Sequence, residues 1–199
     1  MALFAAVAFM TAAIHARVLA IGLFAASAAR VATGQLWLLL SSGLVIDRPV
    51  AVGLVAFGVI ASATLWGCGA RMFWVTAIAG HVGSTLLVYA IIGVSRLTDP
   101  HVFSTAVASP DYGVSAMQGA WVGALTARAW IGCGQRVLQR SATVAAVCGL
   151  AGVAWLLHPD PSILTFEHLF AFAFGSSIAW ASRRRWVRHP TASPALSFG

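Results

Sequence analysis

Apolar runs of about 20 residues recur along this chain, separated by short segments rich in arginine, aspartate and proline. A run of that length is what an α-helix needs to cross the hydrocarbon core of a bilayer. Of the 199 residues, 60% are hydrophobic and only 9% are charged, which excludes an ordinary soluble domain. The pattern predicts an all-α fold, a polytopic membrane bundle of about six transmembrane helices.

The predicted helices follow the spacing of these runs. The short apolar run after Trp37 cannot span a bilayer and is expected to lie at the membrane interface. Residues 1–188 are expected to form a single transmembrane domain, and residues 189–199 a short cytoplasmic tail without fixed structure. The end of the first helix is left open by the sequence. The predicted helices occupy roughly residues 2–24, 50–69, 72–94, 113–127, 141–157 and 162–182.

The basic residues predict the orientation of the bundle. The chain has a net charge of +7 and no lysine, and its arginines cluster at the predicted helix ends. Under the positive-inside rule, this places both termini in the cytoplasm of a multi-pass cell-membrane protein, with the loop at 95–112 outside. The charge therefore indicates topology and a lipid bilayer as partner, with no nucleic acid. The arginines on the predicted inner side are Arg71, Arg128, Arg136, Arg140, Arg183, Arg184, Arg185 and Arg188.

The amino-acid composition also indicates the kind of membrane and the role of the cysteines. Alanine-rich, lysine-free sequence is typical of bacteria with GC-rich genomes, which suggests a bacterial inner membrane. The cysteines Cys68, Cys133 and Cys148 form no CxxC pair and have no metal-ligand spacing. We therefore expect no metal, no cofactor and no disulfide framework.

Two predicted helices carry small residues on one face, beneath one polar residue. Every fourth residue shares a helix face, and small residues on such a face allow close helix contact in lipid. The fourth helix carries Ser115 above Gly119, Gly123 and Ala127. The sixth carries His168 above Ala171, Gly175, Ala179 and Ser182.

The two polar residues are expected at the same depth. Ser115 lies about 8 Å below Pro110, and His168 about 10 Å below Pro161, at 1.5 Å per residue. A serine hydroxyl beside an imidazole is a minimal activated nucleophile, because histidine can take the proton as serine attacks. Gly113 would leave backbone exposed near an oxyanion.

Other polar residues lie in the predicted helices. His81 is expected near mid-membrane, too deep to reach Ser115, and is predicted to bond a neighbouring helix. Glu167 adjoins His168 in sequence but points elsewhere on the helix, towards a water-filled cavity or the interface. Asp111 is predicted to complement a helix N-terminus.

Taken together, these motifs resemble the rhomboid family of intramembrane serine proteases. Gly113-Val-Ser115 is similar to that family's Gly-x-Ser, and residues 168–175 resemble its His-x-x-Gly-x-x-x-Gly with Ala171 at the first glycine. Residues 34–42 are similar to the segment before its second helix. The resemblance implies a Ser115–His168 dyad that cleaves the transmembrane segments of other membrane proteins near the outer surface.

The chain also departs from the family pattern. The family's second helix usually carries His-x-x-x-Asn, whereas residues 50–69 contain neither histidine nor asparagine. Ala116 occupies the place of the family's glycine after the serine, next to the expected oxyanion, and Gly119 replaces a common aromatic residue. A rhomboid-fold protein without catalysis, which binds transmembrane helices, is therefore a second interpretation. A third is a small transporter with a proton path through His81, His168 and Glu167, but no inverted repeat supports it.

Overall fold

The computed structural model describes residues 2–46, 49–131 and 165–183. These residues form helices and turns, with one isolated antiparallel bridge between Ala26 and Asp111. The all-α prediction is therefore confirmed for the described part of the chain. The α-helices are α1 (Ala2–His15), α2 (Ala28–Ala32), α3 (Leu38–Ser41), α4 (Val50–Cys68), α5 (Ala70–Ile78), α6 (Ser84–Thr98), α7 (Ser104–Ala108), α8 (Ser115–Ile131) and α9 (Thr165–Ala181).

The first helix is shorter than predicted. It ends at His15 rather than near residue 24. Arg17 adopts a left-handed backbone conformation with φ of 59°, which an α-helix cannot contain. The chain then continues through turns to a short 3₁₀ turn at Ile21–Leu23. Apolar composition alone therefore gave the wrong end for this helix, because its backbone break carries no proline or glycine signal.

Two helical segments match the predicted second and third spans. α4 covers 19 residues, and α5 continues through a π-helical turn at Ala79–Gly83 into α6, making 29 helical residues from Ala70 to Thr98. Within the described residues, these two segments are long and apolar enough to cross a membrane. Gly69 joins them with φ of +82°, a conformation that favours glycine at this reversal.

α8 packs into the centre of the described helices. Its Trp121 is fully buried among Phe57 of α4, Phe73 of α5 and Val7 of α1. The ring of Trp121 stacks on Phe73 with centroids 4.5 Å apart, and its indole N–H donates to the Phe73 carbonyl over 3.0 Å. This aromatic cluster holds the helix that carries Ser115 against α4 and α5.

The segment predicted to lie at the membrane interface is partly buried. Trp37 and Leu40 are exposed, as expected for an interfacial segment, but Leu38 and Leu39 belong to a buried cluster with Val88 of α6. One face of α3 therefore packs into the bundle while the other face is exposed. This packing brings Ser42, the residue after α3, close to His81 in the segment Ala70–Thr98.

Several predictions lie outside the described residues. They are the fifth helix at 141–157, the tail at 189–199, and the arginines and cysteines beyond residue 131 other than Arg183. Of the predicted fourth and sixth helices, the described parts are α8 and α9, each of 17 residues.

Candidate functional site

α8 and α9 make the closest helix contact among the described residues. A Cβ added at Gly175 would overlap the backbone carbonyl of Ala120, and one added at Gly123 would overlap the carbonyl of Phe172. The hydroxyl of Ser176 donates to the Gly123 carbonyl over 3.1 Å. Backbone therefore meets backbone at this interface, as the small-residue faces predicted.

The contacts also define the register of the two helices. A Cβ at Gly119 would lie 3.2 Å from the His168 carbonyl, and four residues later Gly123 meets Phe172. The contact thus advances by four residues towards the C-terminus on both helices, which shows that α8 and α9 are parallel. Ser115 is one turn before Gly119, so Ser115 and His168 lie within about one turn of each other along the helix axes.

The chain before α8 is held by backbone hydrogen bonds. The N–H of Gly113 donates to the Ser42 carbonyl over 2.9 Å, and the N–H of Val114 donates to the Val45 carbonyl over 3.1 Å. Gly113 has φ of +139°, and a Cβ there would lie 3.3 Å from Ser115 Oγ. The absence of a side chain at Gly113 leaves space beside the Ser115 hydroxyl. The Gly113 N–H is already bonded to the Ser42 carbonyl, so it is not free to donate to an oxyanion, the role that the sequence had suggested.

The first turn of α8 supplies other donors. The first intrahelical bond of this turn runs from the Gln118 N–H to the Val114 carbonyl, over 3.0 Å. The N–H groups of Ser115, Ala116 and Met117 precede it and have no acceptor within the helix. A helix N-terminus also favours negative charge. The amide of Ala116, the residue directly after Ser115, is one of these donors.

His81 lies in the π-helical turn and is buried. Its Nε2 is 3.2 Å from the hydroxyl of Ser42, which follows α3, and its Nδ1 is 4.0 Å from Oε1 of Glu167. Ser42 begins the 3₁₀ turn Ser42–Leu44 that directly follows α3, and Glu167 lies in the first turn of α9. π-helical turns are frequent at functional sites, so the environment of His81 is a second candidate region.

Glu167 is buried rather than facing a water-filled cavity or the interface. The hydroxyl of Thr85 donates to its Oε1 over 2.5 Å, and that of Ser84 over 3.4 Å. A second acid, Asp111, is close enough for its charge to act on Glu167, and Asp111 Oδ2 accepts from the hydroxyl of Tyr89 over 3.0 Å. Buried charge is costly unless it is paired or neutralised.

Asp111 holds the loop before α8 in two ways. Its backbone N–H donates to the Ala26 carbonyl over 2.8 Å and its carbonyl accepts from the Ala26 N–H over 2.9 Å. Its carboxyl group accepts from the hydroxyl of Tyr89 instead of serving the helix N-terminus that was predicted. Burial of this loop residue raises the pKa of Asp111.

Ser42 and Tyr89 belong to this polar cluster but were not predicted from the sequence. A signal for Tyr89 was present, because His81, Thr85 and Tyr89 recur every fourth residue and so share one helix face. Ser42 had no such signal, since it approaches His81 across 39 positions of sequence. The predicted pair of Ser115 and His168 lies on neighbouring helices, and the pairing of their side chains stays a prediction.

Comparison with protein-family models, with curated proteins and with solved structures gives no significant match for this chain. The described residues also contain no group of three or more histidine, cysteine, aspartate or glutamate side chains arranged to hold a metal ion. The function therefore has to be argued from the geometry of the residues.

Replacing Gly43 with alanine is expected to disturb His81. The added Cβ would lie 2.7 Å from Nε2 and 2.8 Å from Cδ2 of the buried imidazole, so the ring has to move away from Ser42. We expect a loss of about 1–3 kcal/mol in the free energy of unfolding, together with changed ring signals of His81 in histidine-labelled NMR spectra. Gly22→Ala is the control, because no atom lies within 4 Å of its added Cβ. Unchanged His81 signals in Gly43→Ala would contradict this packing.

Proposed function

We propose that this chain is a rhomboid-like intramembrane serine protease, with Ser115 as nucleophile and His168 as general base. The observation that carries the proposal is the register of α8 and α9. The contact of Gly119 with the His168 carbonyl supports a position of Ser115 and His168 within about one turn of each other along two parallel helices. The motifs that resemble the rhomboid family lie on the same two helices.

The proposed reaction uses few groups. His168 takes the proton of the Ser115 hydroxyl as its oxygen attacks a peptide carbonyl, and later gives a proton to the leaving amine. The N–H of Ala116, in the first turn of α8, stabilises the oxyanion that forms. A water molecule then attacks the acyl-enzyme and releases Ser115. No metal or cofactor takes part in this scheme.

The proposed setting is a six-helix bundle in a bacterial inner membrane, with both termini in the cytoplasm. α4 and the 29-residue segment Ala70–Thr98 support the membrane assignment by length and composition. In this orientation the first turns of α8 and α9 face the outer surface, where water is available. The substrates would be transmembrane segments of other membrane proteins that enter the bundle near that surface.

A serine-directed fluorophosphonate probe tests the nucleophile directly. The purified protein in detergent is expected to become labelled, and Ser115→Ala is expected to remove the label because the attacking oxygen is gone. Cleavage of a reconstituted transmembrane substrate should fall by about a thousandfold or more in Ser115→Ala and in His168→Ala. The control is Ser104→Ala, since Ser104 is an exposed serine at the start of another helix, α7.

Labelling that persists in Ser115→Ala would overturn this assignment. A folded wild-type protein that neither labels nor cleaves would favour the second candidate, a rhomboid-fold protein that binds transmembrane helices without cutting them. That candidate is favoured by α4, whose residues Val50–Cys68 include no histidine or asparagine to support an oxyanion. Photo-crosslinking of a transmembrane peptide to the inactive protein would then support binding alone.

A further inference from the structure

A buried polar cluster beside α9 has no part in the proposed reaction. Its acidic members are Asp111 from the loop before α8, which is half-buried, and Glu167 from the first turn of α9, which is buried. Asp111 is close enough for its charge to act on Glu167, and two ionised carboxylates repel each other, so a proton on one of them removes an unfavourable interaction. The repulsion is strong because water screens charges poorly around the buried carboxyl group of Glu167.

The hydroxyl groups around Glu167 lead to the same conclusion. The hydroxyl of Thr85 carries one hydrogen but lies within hydrogen-bonding distance of two acceptors, the His81 carbonyl at 2.7 Å and Glu167 Oε1 at 2.5 Å. The hydroxyl of Ser84 likewise contacts the Gly80 carbonyl as well as Glu167. Each hydroxyl group can donate to only one of its acceptors at a time, so the carboxylate form of Glu167 is incompletely satisfied and the protonated form is favoured.

His81 supplies an independent observation. Its Nδ1 is buried, has no hydrogen-bond partner among the residues that the structure describes, and lies 4.0 Å from Glu167 Oε1. Its other ring nitrogen is next to the hydroxyl of Ser42. An unpaired nitrogen in this position is costly unless it can receive a proton or a water molecule.

We propose that Asp111, Glu167 and His81 form a proton-binding site inside the bundle, in which Glu167 holds one proton and can pass it to the imidazole. In the transfer, the O–H bond of Glu167 breaks and an N–H bond forms at Nδ1 of His81. The products are a carboxylate and an imidazolium that attract each other. The ligand is a proton, delivered by water, and not a metal ion.

The surroundings of the site contain other titratable groups. Tyr89 of α6 donates to Asp111, and Tyr112 and His168 are the neighbours of the two acids in sequence. The two acids are also close in sequence to the proposed dyad, because Asp111 is four residues before Ser115 and Glu167 directly precedes His168. The proton site does not depend on the proposed protease activity.

Infrared spectroscopy of the full-length protein tests the site. We expect the carbonyl-stretch band of a protonated carboxylic acid at neutral pH, with a shift on exchange into D₂O. Glu167→Gln should remove it, because the half-buried Asp111 that remains has no second acid beside it, and Asp111→Asn should shift it, because Glu167 then lacks its neighbouring acid. Asp99→Asn is the matched control, because Asp99 is an exposed loop acid that only accepts from the His101 N–H. Ser115→Ala should keep the band, which separates this test from that of the protease.

Thr85→Val keeps both acids and is expected to shift the band by removing one hydrogen bond to Glu167. Thermal unfolding against pH gives a second readout. The raised pKa of Asp111 means that its stabilisation is fully present below the ordinary carboxyl pKa and is lost as the pH rises through the raised value. Asp111→Asn should flatten that decline. Absence of the band from the wild-type protein, or a band that survives Glu167→Gln, would overturn the proposal.

Discussion

Gly175→Ala is expected to separate α8 from α9 and to destabilise the protein by about 3 kcal/mol or more. The added methyl group would lie 2.6 Å from the carbonyl carbon of Ala120 and 2.8 Å from its Cα, and would overlap the carbonyl oxygen. These are backbone atoms in the middle of a helix, so no side-chain rotation can relieve the clash. The helices must move apart, which weakens the packing of Gly123 against Phe172 as well.

Thermal unfolding in detergent measures this effect, with Gly93→Ala as the control. Gly93 lies in the interior of α6, and no atom is within 4 Å of a Cβ added there. Alanine favours a helix interior over glycine by about 0.5–1 kcal/mol, so the control should be neutral or stabilising. Equal melting temperatures for Gly175→Ala and the wild type would show that α8 and α9 are not in this close contact.

Trp121→Ala is the second substitution with a large expected effect, a loss of about 3–5 kcal/mol. The fully buried indole fills the space between α8, α4 and α5, with Phe73 at 4.5 Å and Phe57 at 5.4 Å between ring centroids. Its removal leaves a cavity whose lining loses dispersion contacts, and this cost applies in a membrane as well as in water. The indole N–H bond to the Phe73 carbonyl is lost too.

A tryptophan on the surface of the same bundle gives the matched control. Trp66 of α4 is 95% exposed, so Trp66→Ala should change stability by about 0.5 kcal/mol or less. Trp121→Phe keeps an aromatic ring but no donor, and should cost less than Trp121→Ala. Similar melting temperatures for Trp121→Ala and Trp66→Ala would show that the aromatic cluster does not hold α8 in place.

Much of the helical structure could be predicted from local sequence. The bounds of α4 were predicted to within a residue, because its apolar run is bounded by Pro49 and Gly69. The close contact of α8 with α9 was also predicted, since small residues at every fourth position form one face whatever the helix packs against. The end of α1 at His15 was not, because nothing in the local sequence marks the left-handed conformation of Arg17.

The π-helical turn around His81 was also absent from the prediction. An apolar run shows that a helix continues but not how each turn is wound. At this turn Gly80 meets Ala120 so closely that an added Cβ would overlap the alanine side chain. The winding of the turn and its neighbours are therefore properties of the packed bundle.

The sequence by itself determined which segments are helical and which faces of α8 and α9 can come together, because both follow from the apolar runs and from four-residue spacing. Only the tertiary structure decided the partners of Glu167. It was predicted to face a cavity or the interface, and instead meets Thr85 across 82 positions, with Asp111 of a loop close enough for its charge to act on it. Polar side chains in an apolar bundle must find partners wherever the packing brings them, and sequence spacing carries no record of contacts between distant segments.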